Sequence, residues 1–483
     1  MPQRIEKDFL GEKAVPVEAY WGIHTQRALE NFPFGGRRVN PSLVKGLALV
    51  KKACALANLE LGYLGEEKGR AILEACDEVI EGRMADQFPL DALQGGAGTS
   101  SNMNVNEVLA NRAAELLGGK KGDYGRVHPI EDVNLHQSTN DVYPTAVRVS
   151  AILLLRELSP AIARLQGAFQ RKEKEFARIV KVGRTELQEA VPITLGGGCS
   201  AYEEAMARDR WRTFKCEERL RVVNLGGTAV GTGLSAPRSY IFLAVEKLRE
   251  VTGLGLSRGE DLLDATANTD PFVEVSGILK AHAGSLVKIA NDLRLLHLLG
   301  EIDLPALQPG SSIMPGKVNP VLLEAAVQAG LKVMANDFLV AEACSRSTLQ
   351  INEFLPLLAH ALLESLDLLI RVDGALAEHV AGITADDARC RELFDASPMI
   401  VTAFLPHVGY DRAGALLAEF SASGRKNVRE FLREKLGADL VERVLSPERL
   451  ISLGYREEEI TRSLPPGAAP GEKGGGEEEV SGQ

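Results

Sequence analysis

The chain has 483 residues, 45% hydrophobic and 25% charged, with a formal net charge of −11. A single core rarely grows past about 250–300 residues, so two or three domains are expected. An acidic chain without a basic stripe is a poor match for nucleic acid or an anionic membrane, and 5% aromatics offer little for base stacking.

The opening run MPQRIEKDFLGEK is charged, without the apolar core of a signal peptide. No stretch reaches the roughly 18–20 uncharged apolar residues of a membrane span. The nearest, Ala151–Leu155, ends at Arg156 and Glu157. Cysteines 54, 76, 199, 216, 344 and 390 show no CxxC and no Cys/His pairing. That reads as reduced thiols in a cytoplasmic protein, not as a disulfide frame or a zinc site. The eight histidines form no HExxH-type pair, so no metal is suggested.

Residues 1–140 mix short helical patterns with polar stretches, Gln94–Asn106 (QGGAGTSSNMNVN) and Gln137–Thr145 (QSTNDVYPT). Both read as loops at a surface or a site. From 141 the character changes. Ala151, Leu155, Leu158, Ile162, Leu165, Phe169 and Phe176 recur mostly at spacings of four and three, the stripe of one long helix. GRTELQ at Gly183–Gln188 is a polar break. A second stripe runs Val275, Ile278, Leu279, Leu286, Ile289, Leu293, Leu296. Further helices are predicted at Val321–Phe338 and Phe354–Val372. Pro320 suits the first turn of the former, where its missing N–H has no partner to lose. Helices of about 20–35 residues extend roughly 30–50 Å and need partners along their length. The predicted class is mainly all-α, with a central bundle of long helices over 141–395. A small helical domain follows at 396–463. Residues 464–483 carry no apolar stripe and are expected to be a disordered acidic tail.

Four polar segments carry chemistry. Gly310–Asn319, GSSIMPGKVN, packs hydroxyls, glycines, a lysine and an asparagine into ten residues. Exposed backbone N–H groups and Lys317 suit a loop closing over an anion, and a serine there could lose its proton. A flexible connection is the plainer alternative. Ser138-Thr139-Asn140 suits a carboxylate or an amine, and taken alone suits a helix cap better. The same two readings hold for Thr99 with Ser100, Ser101 and Asn102. The fourth segment is GRTELQ. A helical bundle holding an anionic substrate between its loops accounts for all four.

GSSIMPGKVNP resembles the signature of the fumarase/aspartase superfamily, and the other segments agree with it along most of the chain. The resemblance implies a three-domain helical fold and a homotetramer whose bundles join into a twenty-helix core. Each active site would take loops from three subunits. The implied reaction is an anti elimination releasing fumarate, without a cofactor or metal. Gly22–Thr25 (GIHT), the 138–145 run, KKACALANLEL at Lys51–Leu61 and the GEIDLPALQ segment lean toward the aspartase branch, an ammonia-lyase acting on L-aspartate. Gly316 leans the other way, toward fumarate hydratase or a lyase for another fumarate adduct. Carried over by position, the resemblance makes Ser311 the general base and Lys317 its catalytic partner. Thr99, Ser138, Thr139, Asn140, Thr185, Ser312 and Asn319 would hold the substrate.

Three departures stand out. Glu186 replaces the family's His or Gln, and would stand opposite Glu324 as an accessory carboxylate pair or as a distant polar contact. The segment at 291–305, NDLRLLHLLGEIDLP, is shorter than the family pattern. HPIEDVN at 128–134 carries Asp132 in place of a His, which counts against the peripheral dicarboxylate site known in fumarases.

Overall fold

The computed structural model describes residues 2–461 and is mainly helical, its strands short and paired two by two. The acidic tail expected from 464 lies outside the described residues. The chain forms two compact units. One holds the chain up to Ala168, Glu203–Leu295 and Ala306–Val380. The other holds Phe169–Tyr202, Leu296–Pro305 and the described part of the chain from Ala381.

The first unit opens with an antiparallel hairpin, β1 (Gln3–Asp8) and β2 (Gly11–Pro16). Then come α1 (Ile23–Asn31), α2 (Pro41–Glu60), α3 (Glu66–Ile80) and α4 (Thr99–Leu116). Helix α2 packs on α3, and α3 on α4. Buried Glu107 on α4 accepts from the N–H of Gly22 and His24 at 2.9 and 2.8 Å and from the Thr25 hydroxyl at 2.6 Å. The GIHT run is therefore the anchored start of α1.

The polar stretch Gln94–Asn106 departs from its expected loop. Helix α4 begins at Thr99, and Asn102, Asn104 and Asn106 are buried within it. Polar composition alone did not reveal that their NH2 groups find partners inside, as when Asn104 Nδ2 donates to Gln87 O at 3.1 Å.

Helix α5 (Thr139–Glu175) is 37 residues long and passes from the first unit into the second. Pro144 within it cannot donate to the carbonyl of Asn140. Asn224 Nδ2 donates to that carbonyl instead, at 2.9 Å. In the second unit β3 (Val180–Thr185) and β4 (Gln188–Thr194) form a hairpin where the sequence suggested only a polar break. Helix α6 (Leu195–Cys216) returns to the first unit. There β5 (Val222–Val223), α7 (Arg238–Thr252), β6 (Ser257–Arg258), α8 (Leu262–Ala267) and α9 (Asp270–Leu298) follow. After β7 (Ile302–Asp303) come α10 (Val321–Ser345) and α11 (Leu355–Ala381). Strand β8 (Thr384–Ala385) pairs with β7, and α12 (Asp387–Ala396) opens a run of short helices around Phe394, Phe404 and Phe431.

Helices α10 and α11 outrun their expected ends at Phe338 and Val372. Beyond Phe338 the buried stripe continues through Val340 and the small Ala343. Beyond Val372 the buried position falls on a charged residue, Asp373. His282 of α9 explains that charge. Its Nδ1 meets Asp209 of α6 at 3.2 Å and its Nε2 meets Asp373 at 2.8 Å, all three side chains being buried. Burial alone would lower the imidazole, but Asp373 and Asp209 hold it at about 10. The core of the long-helix bundle thus contains an ionic clamp tying α6, α9 and α11.

Candidate active site

The predicted site residues fall into three groups. The first lies at the starts of α4 and α5. Ser138 caps α5: its Oγ accepts from the N–H of Asn140 at 3.2 Å, and its own N–H donates to Asp141 Oδ1 at 3.0 Å. This is a capping box, so the cap reading and the site reading hold for the same residue. Asp141 is fully buried, and its Oδ2 also accepts from Gly226 N and Thr228 N, both at 3.0 Å. One carboxylate therefore pins the 138 turn against the 226–228 loop. Burial pushes its carboxyl up to about 6, against the lowering pull of those N–H donors. Asn140 Nδ2 donates to Ala229 O at 2.7 Å. Thr139 Oγ1 accepts from Asn102 Nδ2 at 3.1 Å, joining the two helix starts. Thr99, half-buried, donates its hydroxyl to Gly96 O at 2.7 Å.

The second group is the 310–319 loop. It closes into a ring: Gly310 N donates to Lys317 O at 2.7 Å, and Asn319 Nδ2 donates to Gly310 O at 2.9 Å. A Cβ on Gly310 would come within 2.9 Å of the Asn319 side chain and backbone, so the ring requires glycine there. Inside the ring, Ser311 Oγ accepts from two backbone donors, Ile313 N at 3.1 Å and Met314 N at 2.9 Å. Such paired N–H groups stabilise negative charge on the oxygen they face. Ser312 and Lys317 are exposed, Asn319 half-buried. Beside the loop is an open hollow of about 410 Å³, lined by Ser311, Met314, Lys317 and their neighbours and by no residue of the first group. Among the described residues, the loop and the first group share no hydrogen bond.

The third group belongs to the second unit. Thr185 pairs with Gln188 at the tip of the β3–β4 hairpin, leaving a two-residue turn of Glu186 and Leu187. Both have positive φ, 53° and 62°. Asn and Gly are the usual residues of such a turn, so the backbone holds a glutamate in a strained, exposed position. The hairpin is mounted on Glu301, which is fully buried and meets Arg184 at 2.7 Å and Lys181 at 3.1 Å. Glu301 lies in the 291–305 segment, expected to be shorter than in relatives. Glu324 stands in the first turn of α10, in the other unit.

Sequence reasoning missed the side chains behind the first group: Lys51, Asn134, Asp141 and Asn224. For Lys51 a signal was present. Leu47, Lys51, Cys54 and Asn58 stand four, three and four apart, all on the buried face of α2. Spacing alone would have turned Lys51 inward.

A family model described as a lyase matches residues 11–335. An aspartate ammonia-lyase of a Bacillus species is 47% identical over 433 residues, covering 88% of this chain and 92% of the relative. A Brucella melitensis structure described as fumarate lyase:delta crystallin, bound to cobalt, is 47% identical, with a TM-score of 0.89 over 94% of this chain and all of its own. The chain belongs to the fumarase/aspartase lyase family. A class II fumarase from Schistosoma mansoni is more distant, at 33% identity and a TM-score of 0.87, over 93% of this chain and 99% of that one.

Asp132, expected to stand where a His would be, is held on two sides. Its carboxylate takes an ion pair from Lys68 at 2.7 Å and a bond from His128 N at 2.7 Å. Lys68 is thus already paired within the chain. Among the described residues no helix is long and apolar enough to cross a membrane.

Proposed function

We propose that this enzyme is an aspartate ammonia-lyase, catalysing the reversible anti elimination of ammonia from L-aspartate to give fumarate. The observation that carries the chemistry is the pair of backbone N–H groups converging on Ser311 Oγ. They lower the cost of the alkoxide a general base must become. Named aspartate ammonia-lyases at 42–47% identity support the substrate.

The reaction follows from the charges. Ser311 alkoxide takes a proton from the carbon beside the side-chain carboxylate of aspartate. The electron pair left behind spreads into that carboxylate, which becomes an enediolate with a second negative charge. Thr99, Ser138, Thr139 and Asn140, with Ser312, Lys317 and Asn319, hold the substrate and this charge. Collapse of the enediolate forms the carbon–carbon double bond and breaks the carbon–nitrogen bond, releasing ammonia. Thr185 completes the pocket, with Glu186 and Glu324 as accessory groups.

The functional unit in this reading is a homotetramer, each site drawing on three subunits, in the cytoplasm. Trp211 and Phe214 of α6 and Phe338 of α10 are 63%, 63% and 64% exposed in the single chain. Apolar surface of that kind on long bundle helices is what neighbouring copies would cover.

Mixing the enzyme with fumarate and following its absorbance, with and without ammonium, tests the reading. Loss of fumarate only when ammonium is present is expected. Loss without ammonium would make the enzyme a hydratase, and no loss would end the lyase reading.

A further inference from the structure

Lys51 is fully buried in α2, and the resemblance assigned it no place in the site. Its Nζ donates to Asn134 Oδ1 and to Gln137 Oε1, each at 2.8 Å. Asn134 Oδ1 also accepts from Asn102 Nδ2 at 3.2 Å and from Asn106 Nδ2 at 3.1 Å. Asn102 Nδ2 in turn donates to Thr139 Oγ1 at 3.1 Å. The chain therefore runs Lys51, Asn134, Asn102, Thr139.

Its direction is fixed by chemistry. An amine on a lysine has at least two N–H bonds to give whether or not it is protonated. Burial pushes Lys51 down to about 7, against the pull of Cys54 and Asp141, and at either charge it can serve both acceptors. Asn134 gives its Nδ2 to the Gln137 carbonyl at 3.1 Å, which turns its oxygen toward Lys51. That oxygen can only receive, so Asn102 and Asn106 must present their NH2 groups to it. They do so although their own Oδ1 atoms are then left buried without a partner among the described residues. A buried acceptor without a partner is costly, which shows how strongly the amide orientation is imposed. Asn102 reaches Thr139 with the same NH2 group. Thr139 Oγ1 thus accepts from behind, and its own proton remains to be given forward.

We propose that Lys51 is a positioning residue that, through Asn134 and Asn102, sets the Thr139 hydroxyl as a hydrogen-bond donor toward the substrate carboxylate. This rests on the reading of Thr139 as a substrate-holding residue. It assigns to a buried lysine the polarity of a hydroxyl two amides away. A donor is what a carboxylate gaining charge requires. An accepting hydroxyl would repel it.

The test is a double-mutant cycle on kcat/KM for L-aspartate in the full-length enzyme. Thr139→Val removes the hydroxyl and is expected to lower kcat/KM by about tenfold or more. Lys51→Met is expected to cost a similar factor alone, and less than twofold further in the Thr139→Val background. A structural role for Lys51 would instead multiply the two losses, and that result would overturn the proposal, as would wild-type kcat/KM in Lys51→Met. If Lys51→Met does not fold, Asn102→Asp takes its place. That substitution keeps the shape but puts an acceptor behind Thr139, turning its proton inward, and should lose activity in the wild-type background only. Wild-type kcat/KM in Asn102→Asp refutes the relay. Wild-type kcat/KM in Thr139→Val instead removes Thr139 from the site, and the relay loses its purpose with it.

Discussion

Thr139 and Ser311, the central hydroxyls of the two site groups in the first unit, are held in opposite ways. Thr139 is 8% exposed, at the start of a 37-residue helix, with buried amides and a buried lysine behind it. Ser311 is half-buried, and every residue from Ser312 to Val318 is exposed. Its loop is held by bonds within itself, the Gly310–Lys317 and Asn319–Gly310 contacts and a bridge between Pro309 and Val318. Segments with few buried contacts open and close at low cost, which suits a loop that completes a site around bound substrate. The α4 and α5 starts have their geometry before substrate arrives. Under the proposed function, the binding donors are preorganised and the base sits on a loop that carries its own N–H donors.

The contrast breaks most sharply at Ser311. Ser311→Ala removes the oxygen and leaves the ring around it, since Gly310, Lys317 and Asn319 close it without the serine. Turnover should fall at least about 100-fold, the scale of a lost general base. KM and the melting temperature should stay near wild type. Steady-state kinetics beside a thermal melt check this, and a folded Ser311→Ala that still releases ammonia at the normal rate would take Ser311 out of the base role.

The preorganised half should respond differently. Asp141→Asn keeps the oxygen that faces Gly226 and Thr228, but turns an NH2 toward the N–H of Ser138. One half-buried donor loses its acceptor, at about 1 kcal/mol, and the Ser138 turn loosens. Stability should fall and KM for aspartate rise, the reverse of Ser311→Ala. The pH dependence has a definite sign. Asp141 titrates near about 6 in the folded enzyme, above its ordinary value of 3.8. Between those values the folded state binds a proton that the unfolded chain has lost, so this group's contribution to stability declines as pH rises through the window. The deficit of Asp141→Asn relative to wild type should therefore shrink from pH 4 to 6. Denaturant melts across that range measure it, and a deficit that grows with pH would contradict the assignment.

The same contrast marks what the sequence made legible. Long apolar stripes gave α5 and α9, because bulky residues at spacings of three and four can bury only one way. The signature loop stood out because its composition fits no regular element. The Thr139 network stayed hidden for the opposite reason. Asn102 and Asn106 lie on a helix and give their NH2 groups to a tertiary partner, Asn134, so their polarity read as loop. Lys51 sits beside Lys52, and only its register on the buried face of α2 separates the two. The turn at Glu186 and Leu187 was hidden as well. Neither residue favours positive φ, and pairing of the flanking strands imposes it.

Glu186 offers the smallest effect and the finest test. It belongs to neither group, and its backbone is held at a φ of 53° that glycine or asparagine would adopt more readily. A side chain kept where the backbone disfavours it points to a use for the side chain itself. The ammonium of aspartate is positive until it leaves, and an exposed carboxylate on a rigid hairpin tip could bind it in the ground state. Glu186→Gln keeps the size and backbone preference and removes the charge. KM for aspartate should then rise by less than about tenfold, under about 1.4 kcal/mol. Glu186→Gly should give the same rise in KM while relieving the turn, so its melting temperature should not fall. The pair separates charge from strain. An unchanged KM in Glu186→Gln would mean that the carboxylate takes no part, and that the hairpin tip serves the site only through Thr185.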